Sequence, residues 1–78
     1  GYNASLFQAL KAARLNIAQE KDVPAYVIFS DSTLKEMALR QPVTKDDFAS
    51  INGIGKQKLT EYFERFTTVI QGWQQTES

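Results

Sequence analysis

The sequence predicts an all-α domain: four helices of unequal length plus one short helical turn, packed as a compact bundle. Three observations carry this. The stretch from residue 51 to 73 places Leu59, Tyr62, Phe63, Phe66, Val69, Ile70 and Trp73 at steps of three and four, which gathers them on one side of a long helix. Two earlier segments repeat that spacing behind capping residues. The single β-branched run, Ala25-Tyr26-Val27-Ile28-Phe29, has no second strand-like segment to pair with.

The first helix is expected over residues 5 to 20, with Ser5 as its N-cap and Leu6, Leu10, Ala13 and Ile17 facing inward. Phe7 and Ala9 widen that stripe. Lys11 and Arg14 are three apart and read as neighbours on a solvated face. Lys21-Asp22-Val23-Pro24 ends the helix, because the residue before a proline is pushed out of helical geometry. The run around Tyr26 then reads as a short helical turn or extended connector that lays Val27, Ile28 or Phe29 into the core.

Ser30-Asp31-Ser32-Thr33 is a dense start signal for a helix carrying Leu34, Met37 and Ala38, with Leu39 flanking the stripe. Pro42 stops it near Arg40-Gln41. Thr44 with Asp47 opens the next, short helix, whose Asp46 and Asp47 favour the positive end of the helix dipole. Phe48 and Ile51 point inward, and Gly53 is expected to end that helix as its C-terminal cap. Gly53-Ile54-Gly55 turns the chain into the final helix, and Gln74 to Ser78 is expected to fray.

Composition narrows function more by exclusion than by assignment. The 78 residues make a single small domain, residues 1–78, and hold neither Cys nor His. Disulfides and Cys/His metal sites are therefore excluded. Ser5, Ser30 and Ser32 have no base partner and read as caps. Asp46, Asp47, Glu61 and Glu64 read as helix-start charges and a solvated face. No catalytic residue, metal or cofactor is assigned. No apolar run is long enough to span a membrane, and no signal peptide is visible.

Nine basic and nine acidic residues give zero net charge, which argues against strong, sequence-blind binding to duplex DNA. The distribution is uneven: residues 1 to 19 hold Lys11 and Arg14 and no acid. A basic and an acidic pole follow.

Two features invite a binding role. Gly53-Ile54-Gly55 followed by Lys56 and Lys58 has the form of a helix-hairpin-helix turn, where backbone N–H groups at a helix start face a phosphate. The spacing is wrong for a phosphate-binding P-loop. The alternative is that the glycines only form the turn and Ile54 plugs the core. The second feature is Tyr26. By itself it reads as a half-buried core tyrosine. Held on a stiff turn beside Lys21, it would instead suit stacking on an unpaired base.

The chain resembles an HRDC domain, the small helical module of RecQ-type DNA helicases and ribonuclease D relatives. The resemblance lies in Leu6-Phe7-Gln8-Ala9-Leu10, Val23 to Asp31 (VPAYVIFSD), Ser32 to Ala38 (STLKEMA), Pro42, Ile51 to Gly55 (INGIG), Lys58, Tyr62 and Phe66. It covers almost the whole chain in order and is nearest the bacterial RecQ type. It implies a compact HRDC-like bundle of about five helices, counting the turn near Tyr26, excised from a longer ATP-dependent helicase. It also implies a non-catalytic accessory role: weak contact with single-stranded or branched DNA that helps the motor choose substrates, in a cytoplasmic, nucleoid-associated setting, as a monomer.

By motif match Tyr26 is the implied DNA contact, with Lys21, Arg14, Lys11, Lys56 and Lys58 as further candidates. The first helix departs from members richer in Lys and Arg, since it carries Gln8, Ala12 and Ala13. A protein-docking role, on the helicase core or a repair partner, is the other reading, with Asp46, Asp47, Glu61 and Glu64 as its surface. The ribonuclease D relatives add RNA as a third possible target.

Overall fold

The structure, a computed structural model, describes residues 1–77 and contains five helices and no strand among them. They are α1 (Ala4–Lys21), α2 (Ala25–Ile28), α3 (Asp31–Arg40), α4 (Lys45–Ala49) and α5 (Lys56–Glu77). The long α1 packs against α5, α3 and α2, and α4 packs on α5.

α1 starts one turn-edge earlier than its sequence signals. Asn3, not Ser5, is the N-cap, and its side chain accepts from the Leu6 N–H at 3.0 Å. Ser5 therefore lies inside the first turn, where its Oγ accepts from the Trp73 indole N–H at 3.0 Å. Both residues are strong caps, and the one that frees Ser5 to hold the end of α5 prevails. Asn3→Ala is expected to lower unfolding stability by about 1 kcal/mol in urea denaturation, whereas Ser5→Ala should leave the cap intact.

Asp22 closes α1 in the left-handed region at φ 56, and its N–H returns to the Ala18 and Gln19 carbonyls. Ser30 and Thr44 cap α3 and α4, accepting from the Thr33 and Asp47 N–H groups. Gln41 ends α3 at φ 52, one residue before Pro42. α4 stops at Ala49 with Ser50 as its C-cap, so Gly53 does not cap it as the sequence predicts. Gly53 lies three residues further on at φ 94, inside the turn to α5. Ser50 satisfies the helix end instead, since its Oγ donates to the Asp47 carbonyl at 2.6 Å. Past Trp73, α5 continues to Glu77 where fraying was expected, and Gln74 Nε2 donates to Gln41 Oε1 at 3.0 Å. Ser78 lies outside the described residues.

One core joins all five helices. Leu6, Leu10 and Ile17 of α1 meet Leu34, Met37 and Ala38 of α3, Phe48 of α4, and Tyr62, Phe66 and Ile70 of α5. Ile28 and Phe29 enter it from α2 and the residue after it, while Val27 stays exposed. Ile54 plugs the turn between α4 and α5, as one of its two sequence readings had it. Phe29 sits centrally, edge-on to Phe48, Tyr62 and Phe66 with centroids 6.4, 5.5 and 5.1 Å away.

Candidate nucleic-acid interface

Tyr26 is 73% exposed, which rejects its reading as a core tyrosine. The local sequence explains the exposure. Pro24 precedes α2 in extended geometry, and α2 is a single turn whose Ile28 is fully buried. Two residues along a helix is a rotation of about 200°, so burial of Ile28 turns Tyr26 outward. The segment is held at both ends: the Val23 N–H donates to the Ala18 carbonyl at 3.0 Å, and Arg14 Nη1 donates to the Phe29 carbonyl at 3.0 Å. An exposed ring on a pinned turn costs little further ordering when a planar partner stacks on it.

The basic candidates do not form one patch. Lys21 and Lys58 come together around the rings just behind α2. The Lys21 ammonium lies 5.5 Å from the Tyr62 ring and that of Lys58 5.4 Å from the Phe29 ring, and those two rings are themselves 5.5 Å apart. Lys21 is also ion-paired with Glu61. Lys56 opens α5 and is exposed. Lys11 lies elsewhere, its ammonium 4.6 Å from the Phe7 ring.

Arg14 is not on a solvated face. Its side chain is only 11% exposed, and Nη1 donates to the Phe29 carbonyl at 3.0 Å and pairs with Asp31 Oδ1 at 2.8 Å. It ties α1 to the α2–α3 junction, and its Nε is buried without a partner. Two residues escaped the sequence reading. Lys35, exposed on α3, brings its ammonium to 5.6 Å from the Tyr2 ring and 5.8 Å from Phe7. Its spacing of four from Asp31 looks like an ordinary helix ion pair, which is why it gave no signal.

The acidic candidates fall into two pairs: Asp46 and Asp47 open α4, where Asp47 lines a shallow groove with Arg40, Pro42 and Ser50, and Glu61 and Glu64 stand on α5. Glu61 pairs with Lys21, while Glu61 and Glu64 line a groove of about 430 Å³ with Lys45, Leu59, Phe63 and Arg65. Among the described residues no group of His, Cys, Asp or Glu is placed to hold a metal ion, and no helix is long and apolar enough to cross a membrane.

Three titrations follow the ion pairs. The Arg14 hydrogen bond holds Asp31 below the usual carboxylate range, the Arg65 hydrogen bonds do the same for Glu20, and the Glu61 carboxylate raises Lys21. A lowered carboxylate stabilises the fold above its unfolded pKa, and that contribution is lost as pH falls through the folded value. A raised lysine stabilises below its unfolded pKa, and the contribution is lost as pH rises through the folded value. The melting temperature is therefore expected to be flat near neutrality, to fall below about pH 4 and to fall again above about pH 10. All three groups are exposed, so each limb is shallow. Glu20→Gln should flatten the acid limb in a melting series followed by circular dichroism.

The HRDC domain family model matches residues 3–70. The chain is 46% identical over 71 residues to the ATP-dependent DNA helicase RecQ of Bacillus subtilis, covering 91% of this chain and 12% of that protein. It is 41% identical over 70 residues to the RecQ helicase of Pasteurella multocida, covering 90% and 11%. It is 43% identical over 67 residues to the ATP-dependent DNA helicase Q-like 4B of Arabidopsis thaliana, covering 83% and 6%. The chain thus spans about a tenth of the length of the bacterial relatives it matches. Its fold superposes on HRDC domain 3 of D. radiodurans RecQ with a TM-score of 0.87 at 33% identity, covering 92% of this chain and 95% of that one. Sequence, five-helix architecture and superposition agree, and the chain belongs to the HRDC family, the accessory domain of RecQ-type helicases.

Proposed function

We propose that this domain contacts single-stranded or branched DNA for a RecQ-type, ATP-dependent helicase, with Tyr26 stacking on an unpaired base. The observation that carries this is the exposure of Tyr26 on a turn pinned at both ends to α1. Lys58 and Lys56 form no ion pair among the described residues and serve phosphates beside Tyr26, whereas Lys11 lies elsewhere on the bundle. Lys21 and Arg14 act with them through their field, their hydrogen bonds being already committed to Glu61 and to Asp31 and Phe29. Zero net charge keeps the contact weak. Tethering to a helicase core compensates by raising the local concentration of the domain near the strand.

The test is Tyr26→Ala. Stability should change by less than about 0.5 kcal/mol, because little of the ring is buried. Affinity for a fluorescent dT15 strand at low salt should fall roughly 5- to 160-fold, the loss of one base–aromatic stack. Unchanged dT15 affinity would remove the assignment. Duplex and forked strands in parallel then rank the preferred DNA.

A second reading has its own observation. The groove on α5 exposes part of Phe63 between Lys45, Glu64 and Arg65, a mixed surface suited to a protein segment such as the parent helicase core. Glu64→Lys should weaken capture of a separately produced helicase core and leave dT15 binding no weaker.

A further inference from the structure

The seam between α1 and α3 carries a basic and aromatic cluster on the side of α1 away from α5. Tyr2 is 40% exposed and packs edge-on against Phe7, with centroids 5.1 Å apart and planes at 72°. The ammonium groups of Lys11, from α1, and Lys35, from α3, both lie within 6 Å of the Phe7 ring centroid. Lys35 also lies over Tyr2. Two cations thus converge on one aromatic pair from different helices.

Asp31 is a carboxylate whose charge both lysines feel, and it is already engaged by Arg14 at 2.8 Å. Lys35 stands one helical turn from Asp31, the spacing of an i,i+4 pair, yet makes no ion pair with it. Its side chain crosses the seam to the rings instead. Neither Lys11 nor Lys35 forms an ion pair among the described residues, whereas Arg14, Lys21, Arg40 and Arg65 each do. Three cations thus share the one counter-charge of Asp31, and an added anion relieves the excess.

We propose that Lys11, Lys35 and Tyr2 form a second nucleic-acid contact, in which the two ammonium groups hold backbone phosphates and the exposed Tyr2 ring takes a base. It rests on the nucleic-acid reading of Tyr26 and extends it. Tyr2 and Tyr26 flank opposite ends of α1, whose 18 residues rise about 27 Å. A flexible strand that stacks on Tyr26 runs past Arg14 along α1 and reaches Lys11, with Lys35 facing it from α3. Single-stranded nucleic acid fits better than duplex, since the contact needs a free base face beside its phosphates. An acidic peptide would satisfy the lysines but leave Tyr2 without a planar partner.

The test uses the 78-residue chain, labelled dT15 and a poly-glutamate peptide, with the Lys11→Ala/Lys35→Ala double variant, Lys11→Arg/Lys35→Arg, Tyr2→Ala and Tyr26→Ala. Melting temperatures confirm that each variant is folded. The double alanine variant should weaken dT15 about tenfold at 50 mM salt and make the log–log salt slope shallower by about 1.4, two phosphate contacts on a single strand. The arginine variant should restore both. Tyr2→Ala should weaken binding with no change of slope. Equal dT15 affinity and slope in the double alanine variant, with Tyr26→Ala still weakened, would overturn this second contact and leave Tyr26 standing. Absence of dT15 binding to the parent chain would overturn both. Poly-glutamate bound more tightly than dT15, and lost in the double alanine variant, would overturn the nucleic-acid ligand in favour of an acidic protein segment.

Discussion

Phe29→Ala is expected to destabilise the domain by about 3–5 kcal/mol, the range for truncating a buried aromatic. Phe29 is almost fully buried and edge-packed on three other rings from two helices. Its backbone carbonyl anchors Arg14, and Lys58 lies over its ring. A domain of 78 residues has a total stability of roughly 4 to 12 kcal/mol at the usual value per residue, so this one change consumes a large share. Urea denaturation gives the number. Phe29→Leu, which keeps most of the volume, should cost less than half as much. A loss under about 1 kcal/mol for the alanine variant would mean that the ring cluster is not the centre of the core. Tyr26, only three residues away, should show almost no stability effect, and the contrast between the two separates packing from binding within one short segment.

Gly53→Ala is expected to cost about 2–4 kcal/mol from two sources. At φ 94 the backbone is in a region that side chains disfavour by 1 kcal/mol or more. A Cβ built there would come within 2.6 Å of Thr33 Oγ1. That hydroxyl cannot easily withdraw. Thr33 is buried and stiff about χ1, and its Oγ1 donates to the Asn52 carbonyl at 3.2 Å beside Ser30 Oγ at 3.1 Å. Thr33→Ala removes the collision but not the backbone cost. The double variant should therefore be more stable than the sum of the two single changes predicts, by about 1 kcal/mol in a double-mutant cycle. Simple additivity would show that the turn yields at no cost. Gly55→Ala meets no atom within 4 Å and should be much milder.

The elements with strong local signals were readable from the chain alone. Thr44 caps α4 as its position predicts, and α3 starts within the Ser30–Thr33 cluster as expected, with Ser30, the first of its four capping residues, as the N-cap. The stripe from Leu59 to Trp73 forms one face of α5 because its spacing allows nothing else. Errors arose where two local solutions were equally good and a distant residue decided between them. Asn3 and Ser5 are both strong caps, and Trp73, 68 residues away, claims Ser5. Gly53 is as suitable for a helix cap as for a tight turn, and Thr33 on another helix occupies the space that makes glycine necessary there. Arg14 is similar. Its spacing of three from Lys11 pointed to a shared solvated face, but the carbonyl of Phe29 draws it across the seam. For the candidate interface, the outward ring of Tyr26 follows from the burial of Ile28, which no local pattern dictates. Lys35 and Tyr2 were silent because their association depends on how α1 and α3 are laid together.

The bonds between α1 and α5 run in opposite order along the two helices. Ser5 meets Trp73, Glu20 takes both nitrogens of the Arg65 fork at 3.0 Å, and Lys21 meets Glu61. This antiparallel clasp brings the start of α1 and the finish of α5 to the same pole. Tyr26, just past the finish of α1, therefore stands at the opposite pole, and the three bonds fasten the two long helices from end to end so that this distance is set by a rigid clasp.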